Sequence, residues 1–181
     1  MPVLLLDNGG GLVKAAYDFE DHPKVIPNAT ASIHKSMQTF VADEIEQCQN
    51  RSVLHFVRPC ERGYVTNWQC EIDIWTRLFN ELIQCNPSDT SLILTEPILN
   101  IPSIQNELNE IIFEYFGFKE YVRKPSMWFS AYSCLQKNDR ENIACTVVDS
   151  GFSFTHVAPF VNYRCIRNAV SKMQKNKYAF L

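Results

Sequence analysis

No apolar run in these 181 residues approaches the roughly 18 that a membrane-spanning helix needs. The amino terminus offers only Val3 to Leu6 before Asp7, with no basic region in front, so no secretory leader is expected. The chain reads as cytosolic or nuclear. Positive charge is scarce as well: 17 Lys and Arg against 20 Asp and Glu give a net charge of −3. Phosphate affinity needs clustered cations, so a general nucleic-acid surface is excluded. The five basic residues from Arg164 to Leu181 read as a solvated chain end, not a DNA grip. Seven cysteines include no C-x-x-C pair and no His at ligand spacing, which argues against zinc and redox motifs. An odd count closes no disulfide framework, and free thiols in a reducing compartment are expected.

What the sequence does have is an ordinary globular composition, 46% hydrophobic and 20% charged. If one domain, a chain of this length buries roughly 70% of its extended surface. It also has a pattern that occurs almost twice. Val3-Leu4-Leu5-Leu6-Asp7-Asn8-Gly9-Gly10-Gly11-Leu12-Val13-Lys14 is an apolar strand, an Asp, a polar residue, glycine and a second strand. Thr146-Val147-Val148-Asp149-Ser150-Gly151-Phe152-Ser153-Phe154-Thr155-His156 repeats the plan 142 positions later. That spacing is too long for a solenoid and fits a duplicated domain contributing two hairpins to one site. Asn-Gly and Ser-Gly are expected to supply the positive φ of each tight turn.

Between the hairpins, strands and helices alternate. Residues 29 to 53 show weak periodicity and read as a small, peripheral, mobile insertion, and Leu54 to Val57 reads as a strand of the main domain. Thr66 and Gln69 have the spacing of a capping box ahead of a helix burying Ile72, Trp75, Leu78, Phe79 and Leu82. Trp68 and Trp75 are expected core anchors. Ser91 to Thr95 is a strand; Asn100 is expected to cap a helix with Pro102 in its first turn and a stripe of Ile104, Leu108, Ile111, Ile112 and Tyr115. A third helix opens at Pro125-Ser126 and buries Trp128, Ala131, Tyr132 and Leu135, and Lys137 to Asn142 is a polar linker. Such alternation means a mixed sheet packed by helices, an α/β fold.

Glycines at 9, 10 and 11 let backbone amides approach an anion, and successive amides at a turn form a positive nest for phosphate. Lys14 lies close enough to neutralise a phosphate oxygen, and Asp7 with Asp149 can hold a hydrated magnesium ion. Two opposed hairpins would then clasp a triphosphate tail.

Five ordered blocks carry a family resemblance: Leu6-Asp7-Asn8-Gly9-x-Gly11-Leu12-Val13-Lys14-Ala15, Gly63 to Trp68, Leu94-Thr95-Glu96-Pro97, Asn106-Glu107 through Phe113-Glu114, and Val148 to Gly151 with Thr155-His156. Together they resemble actin and the actin-related proteins from about Pro2 to Pro159. The resemblance implies an actin-like ATPase (ribonuclease H-like) α/β fold, represented by the first half of its duplicated domain with a small inserted subdomain. The implied parts are the α/β domain at 1–28 and 54–143, the insertion at 29–53, and the second phosphate hairpin with the start of the second half at 144–181. It further implies ATP or ADP with magnesium, held by Asp7, Asn8, Gly9, Gly10, Gly11, Leu12, Lys14, Asp149, Ser150, Gly151, Ser153, Thr155 and His156, with Asp7 and Asp149 on the metal. Glu96-Pro97 is expected to brace the loops.

The departures narrow the reading. Actins carry serine at the place of Gly10, and an acidic residue then glycine where this chain has Phe152-Ser153. The glutamine that positions the attacking water falls on Ser126 or Pro125, neither of which offers an amide side chain. The segment from Pro27 to Pro59 is shorter than the filament-contact region of actin and differs in composition, so no filament assembly is expected. Val25 to Asn28, Phe40 to Glu46 and Asp149 to His156 are similar to the nuclear branch of the family. That similarity implies a non-catalytic structural subunit of a nuclear chromatin-remodelling complex that exchanges a core histone, the two-A type, for its Z variant. Histones would be reached through the complex, with no direct sequence-specific nucleic-acid contact and no membrane. The alternative is a cytoskeletal ATP-binding protein or ATPase. After Phe160 the resemblance fades, as a truncated product or alternative end would make it. Val147, Phe152, Phe154 and Val157 are then expected to form an exposed apolar patch.

Overall fold

The computed structural model describes residues 1–33, 38–137 and 143–174. In chain order its elements are β1 (Val3–Asn8), β2 (Leu12–Tyr17), β3 (Lys24–Pro27), β4 (Thr30–Ile33), β5 (Thr39–Val41), α1 (Glu44–Gln47), β6 (Leu54–Val57), β7 (Cys60–Glu61), β8 (Tyr64–Val65) and α2 (Trp68–Arg77). There follow β9 (Ser91–Glu96), α3 (Pro102–Glu110), β10 (Glu120–Pro125), α4 (Ser126–Lys137), β11 (Ala144–Ser150), β12 (Phe154–Val161), β13 (Arg164–Cys165) and β14 (Ser171–Gln174).

A five-stranded sheet in the order β10-β9-β1-β2-β3 forms the base. β1 pairs parallel to β9 and antiparallel to β2, so the expected mixed sheet is present. Leu4 and Leu6 of β1, and Leu92 and Leu94 of β9, alternate onto one buried face as period-two strands require. Against that face α2 and the π-helical turn that continues it at Leu78–Leu82, with α3 and its own continuation, lay Ile74, Trp75, Leu78, Phe79, Leu108 and Ile112 in one core. Each such side chain contributes about 1.5–3 kcal/mol when fully buried. Trp75 is wholly enclosed, whereas Trp68 packs at the rim.

Local chemistry moves two helix starts by one residue. Thr66 donates its hydroxyl to the carbonyl of Pro59, so Asn67 caps α2 instead, its Oδ1 accepting from the amide of Cys70 at 3.1 Å. α3 starts after Ile101, with Pro102 in its first turn as expected, while Asn100 spends its amide on Glu96. A π-helical turn at Ile111–Tyr115 then shifts the register, so Tyr115 is exposed and Phe116 packs on the core.

Residues 29 to 53 have a core of their own, Ala29, Ala31 and Ile45, completed by Leu54. β6 pairs with β4, not with the main sheet, so Leu54–Val57 belongs to this small three-stranded sheet. Its apolar residues sit in short strands and a four-residue helix, too brief for a periodicity to show. The polar linker read at Lys137 to Asn142 lies outside the described residues after Lys137.

The second hairpin, β11 with β12, forms a separate sheet extended by β13 and β14. α4 covers it through Met127 and Ala131 against Ala158 and Phe160; Trp128 is only partly buried and Tyr132 is exposed. The apolar patch is smaller than expected: of its four residues Phe152 is exposed, Val147 and Val157 are half-buried, and Phe154 is buried, with β14 running beside it.

Candidate functional site

The two hairpins face one another. Asp7 to Leu12 and Lys14 line one wall of a cavity of about 340 Å³, and Asp149, Gly151, Phe152, Ser153, Phe154 and His156 line the other. Ser126, Thr95 and Glu96 complete it. Of the residues expected to hold nucleotide, Ser150 and Thr155 line no part of it: they pair one position on from Asp149 and His156, so their side chains take the opposite face of the hairpin, where their hydroxyls hydrogen-bond each other at 3.1 Å. The rest converge.

The turns are not made as expected. Gly9, Gly10, Gly11 and Gly151 all avoid the left-handed region. The glycines matter for space: a Cβ on Gly11 would lie 2.8 Å from Cδ2 of Phe152, so the two turns touch through a missing side chain. Among the described residues, the amides of Gly10 and Gly11 have no protein acceptor, whereas Gly9 donates to the carbonyls of Asp7 and Leu12. Unpaired amides at a glycine turn are what a phosphate oxygen requires.

The charged groups are held in place. Asp7 accepts from Thr95 Oγ1 at 2.8 Å and pairs with Lys14 at 3.1 Å. Asp149 accepts from Ser126 Oγ at 2.9 Å. His156 lies across the hairpin from Asp149, and burial, with Lys172 nearby, holds its imidazole below the ordinary range. Glu96 accepts from Asn100 and Gln105, bracing the strand end. The donor set of two free amides and Lys14 fits a phosphate chain. Among the described residues no three His, Cys, Asp or Glu side chains gather as a metal cage. Two carboxylates on one cavity suit only an ion that keeps most of its water, as magnesium does.

Beneath the first turn lies a buried polar cluster that the sequence did not announce. Asn8 donates its side-chain amide to Oε1 of Glu71 and accepts from the indole of Trp75. Asn28 donates to the carbonyl of Gly9 at 2.9 Å, and its backbone amide to that of Gly11 at 3.0 Å. Among the described residues, Oε2 of Glu71 and Oδ1 of Asn28 are buried acceptors without a donor. Burial pushes the Glu71 carboxyl up to about 7, against the hydrogen bond from Asn8. The available signal was an acid beside the apolar stripe of α2.

A third hairpin, β7–β8, locks onto the site. Its turn uses Arg62 and Gly63 at φ +49 and +74, and a Cβ on Gly63 would lie 2.6 Å from Phe154. Lys172 of β14 sits 3.6 Å from the Phe154 ring centroid and donates to the Tyr64 hydroxyl at 3.1 Å.

Comparison with known proteins agrees with this geometry. A family model described as Actin matches residues 1–175. The chain is 39% identical over 162 residues to Actin-like protein ARP6 of Cryptococcus neoformans, covering 87% of this chain and 33% of that protein. It is 35% identical over 185 residues to Actin-related protein 6 of Neurospora crassa, with 94% and 41% covered. Against Actin-related protein 6 of Arabidopsis thaliana it is 37% identical over 190 residues, with 98% and 44% covered. The chain thus spans less than half the length of these relatives. Opposed glycine hairpins on a mixed α/β framework and a family match over nearly the whole sequence lead to one conclusion: this chain belongs to the actin family.

Proposed function

We propose that this chain acts as a non-catalytic, structural actin-related subunit of a nuclear chromatin-remodelling complex, one that exchanges the two-A core histone for its Z variant. The observation that carries the non-catalytic part is the hydrogen bond from Ser126 to Asp149. Where the family resemblance puts a water-positioning amide, at Ser126 or Pro125, this chain has no amide side chain, and the Ser126 hydroxyl is already committed to a carboxylate. Water in line with a phosphate needs an orienting group that reaches it. Similarity to Actin-related protein 6 of several organisms supports the choice of branch. In this reading ATP or ADP with magnesium is a structural ligand. Gly10, Gly11 and Lys14 would hold phosphate, Asp7 and Asp149 a hydrated magnesium ion, and the bound nucleotide would supply charge that draws the hairpins together.

Affinity purification from nuclei with the tagged chain and its full-length counterpart tests the assignment. Co-purification of remodelling subunits and histones with the full-length protein is expected, and recovery of none with either removes the assignment. Calorimetry with magnesium-ATP, followed by phosphate release, tests the chemistry. The free amides and Lys14 also favour a second reading, a cytoskeletal ATPase. Turnover abolished by Asp149→Ala would install that reading in place of the first.

A further inference from the structure

Phe152 sits where the clasp should be open. Its ring lies against Gly11, so closely that a Cβ there would meet Cδ2 at 2.8 Å and Cγ at 3.0 Å. The guanidinium carbon of Arg58 stands 4.7 Å from the ring centroid, and Arg58 Nη1 donates to the carbonyl of Asn28 at 3.4 Å. Asn28 in turn holds Gly9 and Gly11. The ring therefore bridges both hairpins and the end of the small sheet. A phenyl group accepts no ordinary hydrogen bond, so it occupies this concavity without satisfying the amides of Gly10 and Gly11. It also remains 48% exposed, which marks it as a removable plug, not a core residue. Among the described residues Arg58 makes no ion pair, and its contact with the ring leaves its charge uncompensated.

We propose that Phe152 and Arg58 form an aromatic latch that fills the glycine cradle in the absence of an anion, and that a polyphosphate chain displaces the ring and takes Arg58 as a further cationic ligand. The proposal rests on the nucleotide-site reading above and deepens it. The latch holds the hairpins together without nucleotide, as a structural subunit requires, and it sets the phosphate affinity. Binding must break a cation–π contact and expose a ring; it gains a guanidinium suited to forked contact with phosphate oxygens.

Calorimetric titration of the full chain with inorganic tripolyphosphate tests this. Phe152→Ala is expected to bind about tenfold more tightly than the parent, a change of about 1.4 kcal/mol. Phe152→Leu, which keeps apolar packing but offers no ring to Arg58, should fall between the two and guards against a folding defect. Adding Arg58→Ala to Phe152→Ala should return the affinity to near the parent value. If the parent binds and both Phe152 variants bind no more tightly, the latch is overturned and the nucleotide site stands. If no protein in the series binds, both fall. Binding seen only once Phe152 is truncated supports the latch most directly.

Discussion

The hydroxyl of Ser126, the first residue of α4, donates to Oδ2 of Asp149 on β11 at 2.9 Å, so the helix leading away from the first sheet holds the aspartate of the second hairpin. A hydrogen bond to a charged group contributes about 1.5–3 kcal/mol. Ser126→Ala is expected to cost about 1.5 kcal/mol, a fall in Tm of roughly 3–6 °C at this chain length. Thermal unfolding by circular dichroism checks it. An unchanged Tm would mean that water replaces the hydroxyl without loss.

Glu71 should make stability fall as pH rises. Its carboxyl is pushed from the ordinary 4.5 to about 7 by burial, so the folded chain holds a proton that the unfolded chain releases. The resulting stabilisation is fully present below 4.5, declines through the window, and is gone above 7. At 1.36 kcal/mol for each pH unit it amounts to about 3 kcal/mol. Glu71→Gln should flatten this dependence and raise stability at pH 8, because an amide donates where Oε2 is now an unpartnered acceptor beside Asn28. Melting curves from pH 4 to 8 decide. A parent profile no steeper than that of Glu71→Gln would overturn the protonated state.

Much of the fold was legible because its carriers are periodic: the stripe of Trp75, Leu78 and Phe79, and the alternation of Leu4 and Leu6, lie where spacing put them. The twin aspartates were legible because glycine flanks both. Contacts across sequence were not. Glu71 beneath Asn8, Ser126 beside Asp149 and Arg58 over Phe152 join residues 63, 23 and 94 positions apart, and no local pattern encodes such a meeting. The π turn at Ile111–Tyr115 escaped notice for the opposite reason, since one extra residue per turn leaves the apolar composition unchanged while rotating Tyr115 outward.

Arg77 fastens the small insertion to α2. Its guanidinium reaches both oxygens of Asp43, at 2.6 and 2.9 Å, and Glu44 at 3.0 Å. Arg77→Met keeps the aliphatic stem but leaves these acids without their cation, and should cost about 1–3 kcal/mol. The acid side of the pH profile should change too. Hydrogen bonding to Arg77 holds the Asp43 carboxyl below 3.8, so its stabilisation is present above that value and is lost as pH falls through the folded pKa. In Arg77→Met that acid-side loss should shrink. Equal acid sensitivity in both proteins would show that the pair does not support the insertion.

Gly63 should tolerate no side chain, for two separable reasons. At φ +74 an alanine is strained by about 1 kcal/mol, and its Cβ would lie 2.6 Å from Cε2 of Phe154, displacing that ring from beneath Lys172. Gly63→Ala is therefore expected to cost about 3 kcal/mol in total, strain and lost packing together. A double-mutant cycle separates the parts. Phe154→Ala removes the ring that the new methyl would strike, so the double variant should lose less stability than the sum of the single changes, by about 1–2 kcal/mol. What remains of the Gly63→Ala effect in the Phe154→Ala background is the backbone strain alone. Strict additivity would place the whole cost in the backbone and show that the β7–β8 turn does not press on Phe154.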